Sequence, residues 1–91
     1  GFIVMPGGFG TLDELFNALV LIQTEKSRLF PIILVGKEHY KPLYNWIKNT
    51  LVKKKLISEN DINLINLAEE ISEVETILKN FYKKNKIDLN F

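Results

Sequence analysis

The residues best suited to chemistry lie in one stretch, Pro6 to Glu14, whose sequence is PGGFGTLDE. Glycines at positions 7, 8 and 10 permit backbone angles and close approaches that a Cβ would prevent, which leaves peptide N–H groups free to face an anion. An apolar run precedes the stretch and a helical pattern follows it, and the start of a helix adds unpaired N–H groups and about half a positive charge. This context favours a phosphate as the bound group.

The spacing of the glycines limits which phosphate is expected. No lysine follows Gly10, so the loop is not a Walker motif, and the G-x-G-x-x-G spacing of dinucleotide-binding folds is absent. A nucleoside monophosphate or a similar small phosphate ester fits best. A tight turn between strand and helix, without any ligand, is an alternative explanation for the three glycines.

Thr11 and Glu14 have two interpretations. The spacing T-x-x-E before an apolar run is that of a capping box, in which the hydroxyl and the carboxylate satisfy backbone N–H groups at the start of a helix. Alternatively, Glu14 faces the same crevice as the loop, where it could stabilise positive charge or activate water during cleavage of an N-glycosidic bond. Asp13 is interpreted as a favourable charge in the first helical turn.

The remaining candidates have structural interpretations. His39 is the only histidine, and its polar surroundings predict a surface loop; one histidine supplies neither a metal cluster nor a triad. The lysines at 53–55 are expected at a solvated helix end. Four aromatic residues fall on helical stripes and are expected in the core or at an interface: Tyr44, Trp46, Phe81 and Tyr82.

The elements that position the glycine loop follow from the hydrophobic pattern. Phe2 to Met5 reads as a buried strand, and from Leu12 onward apolar residues, Phe16 and Val20 among them, follow helical spacing to about Glu25. A polar turn over Lys26–Arg28 is expected next. The run Ile32–Val35 is typical of a parallel strand that is covered on both faces.

The second half of the chain repeats this alternation. Pro42 is expected in the first turn of a helix, Ser58 caps a short helical turn through Asp61, and Leu64–Leu67 is predicted as a third strand. The stripe Val74, Ile77, Leu78, Phe81 and Tyr82 predicts a last helix, closed by lysines at 83, 84 and 86, with fraying from position 85. Alternating strands and helices predict a doubly wound α/β layer that binds ligands beyond the carboxyl ends of its strands.

Composition excludes several classes of protein. The chain has 91 residues, 46% of them hydrophobic, which suffices for one core, and its net charge of +1 predicts no general attraction to nucleic acid or membranes. The absence of cysteine excludes disulfides, a thiol nucleophile and cysteine-ligated metals. No apolar run approaches the roughly 20 residues that a membrane span needs. A cytoplasmic location is expected.

The stretch Pro6 to Glu14 also resembles the PGGxGTxxE signature of the Lonely Guy (LOG) family, cytokinin riboside 5′-monophosphate phosphoribohydrolases often labelled "possible lysine decarboxylase". The similarity extends through Leu19–Thr24, Phe30–Gly36 and Leu56–Ser58. It therefore covers most of the chain.

The resemblance implies a three-layer Rossmann-like parallel sheet, dimeric or larger, that hydrolyses a nucleoside 5′-monophosphate to free base and ribose 5-phosphate without metal or redox cofactor. It implies that Gly7, Gly8, Gly10 and Thr11 hold the phosphate and that Glu14 is the catalytic carboxylate. With this context, catalysis is favoured over capping for Glu14. The decarboxylase label implies pyridoxal phosphate, for which the sequence shows no supporting site.

In the family, earlier strands, a first glycine-rich nucleotide segment and an arginine that works beside the glutamate precede this motif. Arg28, the sole arginine here, does not match that arginine. Residues 1–91 are therefore expected to form one partial domain, the C-terminal half of such a fold with about three strands and three main helices. That half is expected to pair with a missing N-terminal half or to form a homodimer. A nucleotide-binding or carrier protein on the same fold and an inactive remnant of a split gene are alternatives.

Overall fold

The computed structural model describes residues 2–24 and 30–84. These residues form three parallel strands, four α-helices and one π-helical segment. In chain order they are β1 (Phe2–Val4), α1 (Phe9–Thr24), β2 (Ile32–Val35), α2 (Lys37–Trp46), the π segment (Ile47–Val52), α3 (Glu59–Ile62), β3 (Ile65–Ala68) and α4 (Ile71–Lys84).

The strands lie side by side in the order β1-β2-β3, with Phe2 opposite Ile32 in the first pair and Ile32 opposite Ile65 in the second. β2 is the central strand, and all four of its residues are buried. This confirms the prediction of a parallel strand that is covered on both faces.

Successive side chains of β2 enter two different cores. Ile32 and Leu34 pack into a cluster with Leu15 of α1 and Tyr40 of α2, whereas Ile33 packs on the opposite face in the cluster around α4. Helices therefore cover the sheet from both sides. The predicted α/β class is confirmed, and the parallel sheet is compatible with part of a Rossmann-like fold.

β1 differs from its prediction as a fully buried strand. It ends at Val4 rather than at Met5, and of its three residues only Val4 is buried, whereas the side chain of Ile3 is 48% exposed. The physical reason is its position at the edge of the sheet, where the core beneath α4 does not reach it.

α1 begins at Phe9, three residues before the predicted start, and buries Leu15, Ala18 and Ile22. Phe16 and Val20 remain exposed, so the buried face is narrower than the sequence pattern predicts. The expected end of this helix near Glu25 and the polar turn at 26–28 lie outside the described residues.

The prediction for Pro42 is wrong. α2 begins at Lys37, directly after Gly36, so Pro42 is its sixth residue rather than part of the first turn. Gly36 has a φ of 101°, a left-handed conformation that glycine adopts easily, and this turns the chain from β2 straight into the helix. Trp46 is 52% exposed, which excludes the core and leaves an interface of the two predicted locations.

The later elements agree closely with the sequence. Ser58 and Asp61 form a complete capping box at α3, and β3 runs one residue later than predicted. In α4, Val74 and Tyr82 are buried as expected. The predicted fraying from position 85 lies beyond the part of the chain that the structure describes.

Candidate functional site

The glycine loop connects the carboxyl end of β1 to the start of α1. The first helical hydrogen bond runs from the Leu12 N–H to the Gly8 carbonyl at 3.0 Å, which makes Gly8 the N-cap residue. Among the described residues, no acceptor pairs with the N–H groups of Phe9, Gly10 or Thr11. The positive end of the helix dipole therefore faces a position with no protein anion.

The capping-box interpretation of Thr11 and Glu14 is wrong. Because the helix starts at Phe9, Thr11 is its third residue and Glu14 its sixth, beyond the reach of a capping carboxylate. In the described part of the chain neither side chain makes a hydrogen bond or an ion pair. Asp13 also lies beyond the first turn, which contains no acidic residue.

Gly7 has a packing reason within the chain itself. A Cβ at this position would lie 2.2 Å from Oγ1 and 2.8 Å from Cβ of Thr11, distances that no side chain can tolerate. The tight-turn interpretation therefore accounts for Gly7. Its effect is to let the loop pass directly over the Thr11 side chain.

Gly8 and Gly10 have no such reason. A Cβ on either would meet no atom within 4 Å, and neither has the positive φ that favours glycine. Gly10 also lies four residues before Glu14 on α1, so both face the same side of the helix one turn apart. The missing side chains leave an open backbone surface next to the Glu14 carboxylate.

Thr11 and Glu14 meet at a shallow cavity of about 180 Å³. Its other wall is the backbone and side chains of β1 and the start of the loop, from Phe2 to Pro6. Glu14 is exposed there. The structure thus brings Thr11 and the predicted catalytic carboxylate to one concave surface beside β1, whereas the predicted phosphate-binding residues Gly7, Gly8 and Gly10 do not line it.

Two residues of α2 hold the loop from behind. His39 is exposed, as predicted, but it lies in the first turn of α2 and not in a loop. Its Nε2 lies 3.1 Å from the Gly7 carbonyl oxygen. The buried Tyr40 hydroxyl donates to the Met5 carbonyl, and burial raises the pKa of this phenol. No local sequence signal identifies these contacts, because each joins residues more than 30 positions apart.

Gly36 completes the support of the loop. A Cβ at Gly36 would lie 3.0 Å from Cγ of Pro6, so the turn between β2 and α2 packs closely against the first residue of the loop. The glycine loop is therefore fixed by the neighbouring strand and helix and not only by its own sequence.

The start of α2 contrasts with the start of α1. The Glu69 carboxylate accepts a hydrogen bond from the Lys37 backbone N–H at 2.9 Å, so a protein anion already occupies this helix end. Lys37 Nζ also pairs with Glu73 at 3.1 Å. The hydrogen bond from Lys37 lowers the pKa of the Glu73 carboxyl, with a smaller contribution from the Glu69 backbone N–H.

Other sequence candidates do not join this surface. Arg28 lies outside the described residues. Within residues 2–24 and 30–84, no three His, Cys, Asp or Glu side chains are grouped as a metal site, and no helix has the length and apolarity to cross a membrane. The aromatic rings of Phe81 and Tyr82 contact each other edge to face on α4, at 5.4 Å between centroids.

Comparison with known proteins gives one family match. The family model described as "possible lysine decarboxylase" matches residues 1–78, which include the glycine loop, Glu14 and all three strands. A search of the curated proteins returned no match to the chain.

Proposed function

We propose that this chain, which belongs to the possible lysine decarboxylase (LOG) family, acts on the N-glycosidic bond of nucleoside 5′-monophosphates. The products are the free base and ribose 5-phosphate. The observation that carries the proposal is the Glu14 carboxylate, which has no hydrogen-bond or ion-pair partner among the described residues and lies near the N-terminus of α1, in the motif by which the family is recognised.

The phosphate is assigned to the glycine loop and the first turn of α1. The free N–H groups of this turn are donors for phosphate oxygens, and the Thr11 hydroxyl, which has no partner among the described side chains, adds another. Open space at Gly8 and Gly10 admits a ligand to the backbone. The corresponding end of α2 is unsuitable because Glu69 already fills it.

Glu14 is proposed as the catalytic carboxylate. As the bond between the base and C1′ breaks, its electron pair leaves with the base, and positive charge develops on the ribose ring. A carboxylate beside the ring stabilises that charge and accepts a proton from the water that attacks C1′. The departing nitrogen takes a proton from solvent, and Glu14 returns to solvent the proton that it accepted, so one water is consumed for each free base released.

The family's arginine and first glycine-rich segment have no counterpart among the described residues. We propose that they are supplied by a protein segment that pairs with the outer edge of β1, next to the cavity that Glu14 lines. Two observations support this placement: among the described strands β1 pairs only with β2, and the side chain of Ile3 in β1 is half exposed. That segment is an N-terminal half of such a fold, because a second copy of the chain has the same described residues and would supply neither feature.

Lysine decarboxylation does not suit this surface. Pyridoxal phosphate is held in enzymes by a Schiff base with lysine. None of the described residues that line the cavity with Glu14 is a lysine. The residues present do not fit that cofactor.

The substitution Glu14→Gln tests the proposal. It keeps the size of the side chain but removes its charge, so AMP should bind within about threefold of wild type while release of ribose 5-phosphate falls about 100-fold or more. Asp13→Asn is the matched control, because Asp13 is an exposed carboxylate on the same helix that does not line the cavity. It should leave both quantities unchanged.

A different outcome would favour the alternative class. If the wild-type chain, paired with the segment that completes its site, binds AMP but releases no base, the site belongs to a nucleotide-binding or carrier protein, which needs the glycine loop but not Glu14. Equal release of ribose 5-phosphate by wild type and Glu14→Gln would remove the catalytic role of this residue.

A further inference from the structure

The peptide between Gly7 and Gly8 is held from one side by α2. His39 Nε2 lies 3.1 Å from the Gly7 carbonyl oxygen. Because a carbonyl can only accept a hydrogen bond, the ring nitrogen that faces it carries the proton. The contact spans 32 positions of sequence and ties the glycine loop to a separate element.

Apart from this contact, the flanking side chains do little to restrict the orientation of the Gly7–Gly8 peptide. Neither flanking residue has a Cβ, so both tolerate a wide range of backbone angles. The chain contains no cis peptide bond among the described residues, and in a trans peptide the C=O and the following N–H point in opposite directions. Rotating the peptide by half a turn would present an oxygen to the anion site in place of the Gly8 N–H.

We propose that His39 is a positioning residue that fixes the Gly7–Gly8 peptide with its N–H toward the phosphate. This inference rests on the phosphate site of the proposed function. By accepting from His39 on the α2 side, the Gly7 carbonyl directs the Gly8 N–H away from α2. No backbone acceptor among the described residues pairs with that N–H. The imidazole acts through the peptide and not as an acid or a base.

Tyr40 restrains the preceding carbonyl in the same way. Its buried hydroxyl donates to the Met5 oxygen, and its ring meets that of His39 edge to face, with 4.7 Å between centroids. This contact restricts the rotation of the histidine ring. Neighbouring residues on one helix thus hold carbonyls on both sides of Pro6.

Titration with inorganic phosphate, followed through the ¹H–¹⁵N signal of Gly8, tests the role of His39. In the wild-type chain the Gly8 signal should shift and saturate. His39→Leu, which has no donor, should raise the apparent Kd at least tenfold. His39→Gln, whose amide N–H reaches about as far as Nε2, should recover most of the affinity.

Asn45→Leu is the control, because Asn45 is an exposed, uncharged residue of α2 outside the contact with the loop; its Kd should stay within twofold of wild type. If His39→Leu does not fold, His39→Asn replaces it, since its shorter amide cannot reach the Gly7 carbonyl. The rescue by glutamine separates positioning from a general loss of packing.

The outcomes distinguish this inference from the proposed function. Equal phosphate response in wild type and His39→Leu, or no response in wild type, overturns the positioning role. A response that depends on His39 together with absence of AMP hydrolysis upholds the positioning role and overturns the proposed function.

Discussion

The three glycines of the loop have different physical reasons. Gly7 is required because Thr11 lies where its side chain would be, whereas Gly8 and Gly10 border open space. Glycine weakens a helix relative to alanine, so the chain retains Gly10 in the first turn of α1 at some loss of stability. Under the proposed function, a ligand that approaches the backbone beside Glu14 would account for that choice.

Alanine substitutions should separate these reasons. Gly7→Ala should destabilise the fold by about 1–3 kcal/mol because its methyl group overlaps Thr11. Gly10→Ala should stabilise it by up to about 1 kcal/mol while weakening AMP binding at least tenfold. Thermal unfolding and AMP titration of both variants measure the two effects, and a Gly10→Ala chain with normal AMP affinity would contradict the ligand explanation.

Tyr40 contributes a hydroxyl that is buried and bonded to Met5. Its folded-state pKa is raised above the ordinary value of 10.0 by burial. The stability that this group contributes is therefore fully present below pH 10 and is lost as the pH rises through the folded-state pKa. The reason is that the phenol loses its proton at a lower pH in the unfolded chain than in the folded chain.

Tyr40→Phe should therefore lower stability by about 1 kcal/mol near neutral pH, through the lost hydrogen bond, and reduce the further loss above pH 10. Denaturant unfolding between pH 7 and about pH 11 measures both effects. Tyr44→Phe, a half-buried tyrosine of the same helix, is the control and should retain the alkaline loss seen in wild type.

Among the secondary-structure elements, the starts of α1 and α2 differ in whether a carboxylate accepts from their backbone N–H groups. α2 begins against Glu69, and Lys37 joins it to Glu73 of α4. In the part of the chain that the structure describes, no acceptor pairs with the N–H groups of the first three residues of α1. Both helix starts lie at the carboxyl edge of the sheet, where doubly wound folds bind ligands, and only the first of them is free to do so among the described elements.

The ion pair between Lys37 and Glu73 predicts that the stability of the fold decreases at low pH. The pKa of Glu73 is lowered in the folded chain from its ordinary value of 4.5, so its contribution to stability is present above that pH and is lost as the pH falls through the lower folded-state value. Glu73→Gln should flatten the fall in thermal midpoint between pH 6 and about pH 3. Glu75→Gln, an exposed neighbour on α4, should retain the wild-type slope.

The sequence predicts the existence of these helices, but it predicts the first residue of only some of them. Ser58 is correctly predicted to cap a short helical turn, and the structure adds a capping box with Asp61. The spacing of Thr11 and Glu14 also fits a capping box but forms none, because the helix begins at Phe9. Pro42 misleads in a similar way. Local patterns identify a helix, but its first residue depends on packing from other elements.

The candidate site likewise contains residues that a local motif predicts and residues that only the structure reveals. Its glycines, Thr11 and Glu14 are contiguous, and the sequence identifies them through one motif. His39 and Tyr40 act across more than 30 positions, so no pattern around residue 39 indicates a contact with the loop. Recognition of this pair needed the three-dimensional arrangement of α2 and β1.

At the scale of the whole molecule, apolar surface is concentrated around the first strand and helix. Ile3, Met5 and Phe9 are all exposed, with Phe9 at 93%, and β1 is an edge strand. An unpaired apolar edge is a template for another strand. The location of this surface beside the cavity of Glu14 is what a site completed by a second segment requires.

We therefore expect the chain on its own to associate through β1. Sedimentation of the wild-type chain should show species larger than a monomer, and Ile3→Lys, which places a charge on the edge strand, should reduce them. Ile71→Lys, on an exposed residue of α4, is the control and should leave association unchanged. A monodisperse wild-type monomer with a single cooperative unfolding transition would contradict this expectation.

The proposed role of the Glu14 carboxylate is to assist cleavage of the N-glycosidic bond of a nucleotide whose phosphate is held by the glycine loop. Incubation of the wild-type chain with AMP labelled with ¹³C at C1′ tests it most directly, since the label reports the fate of that carbon while adenine and inorganic phosphate are quantified alongside. The complete site should yield adenine and ribose 5-phosphate in equal amounts and no inorganic phosphate. Intact, bound AMP, or release of inorganic phosphate without adenine, would contradict it.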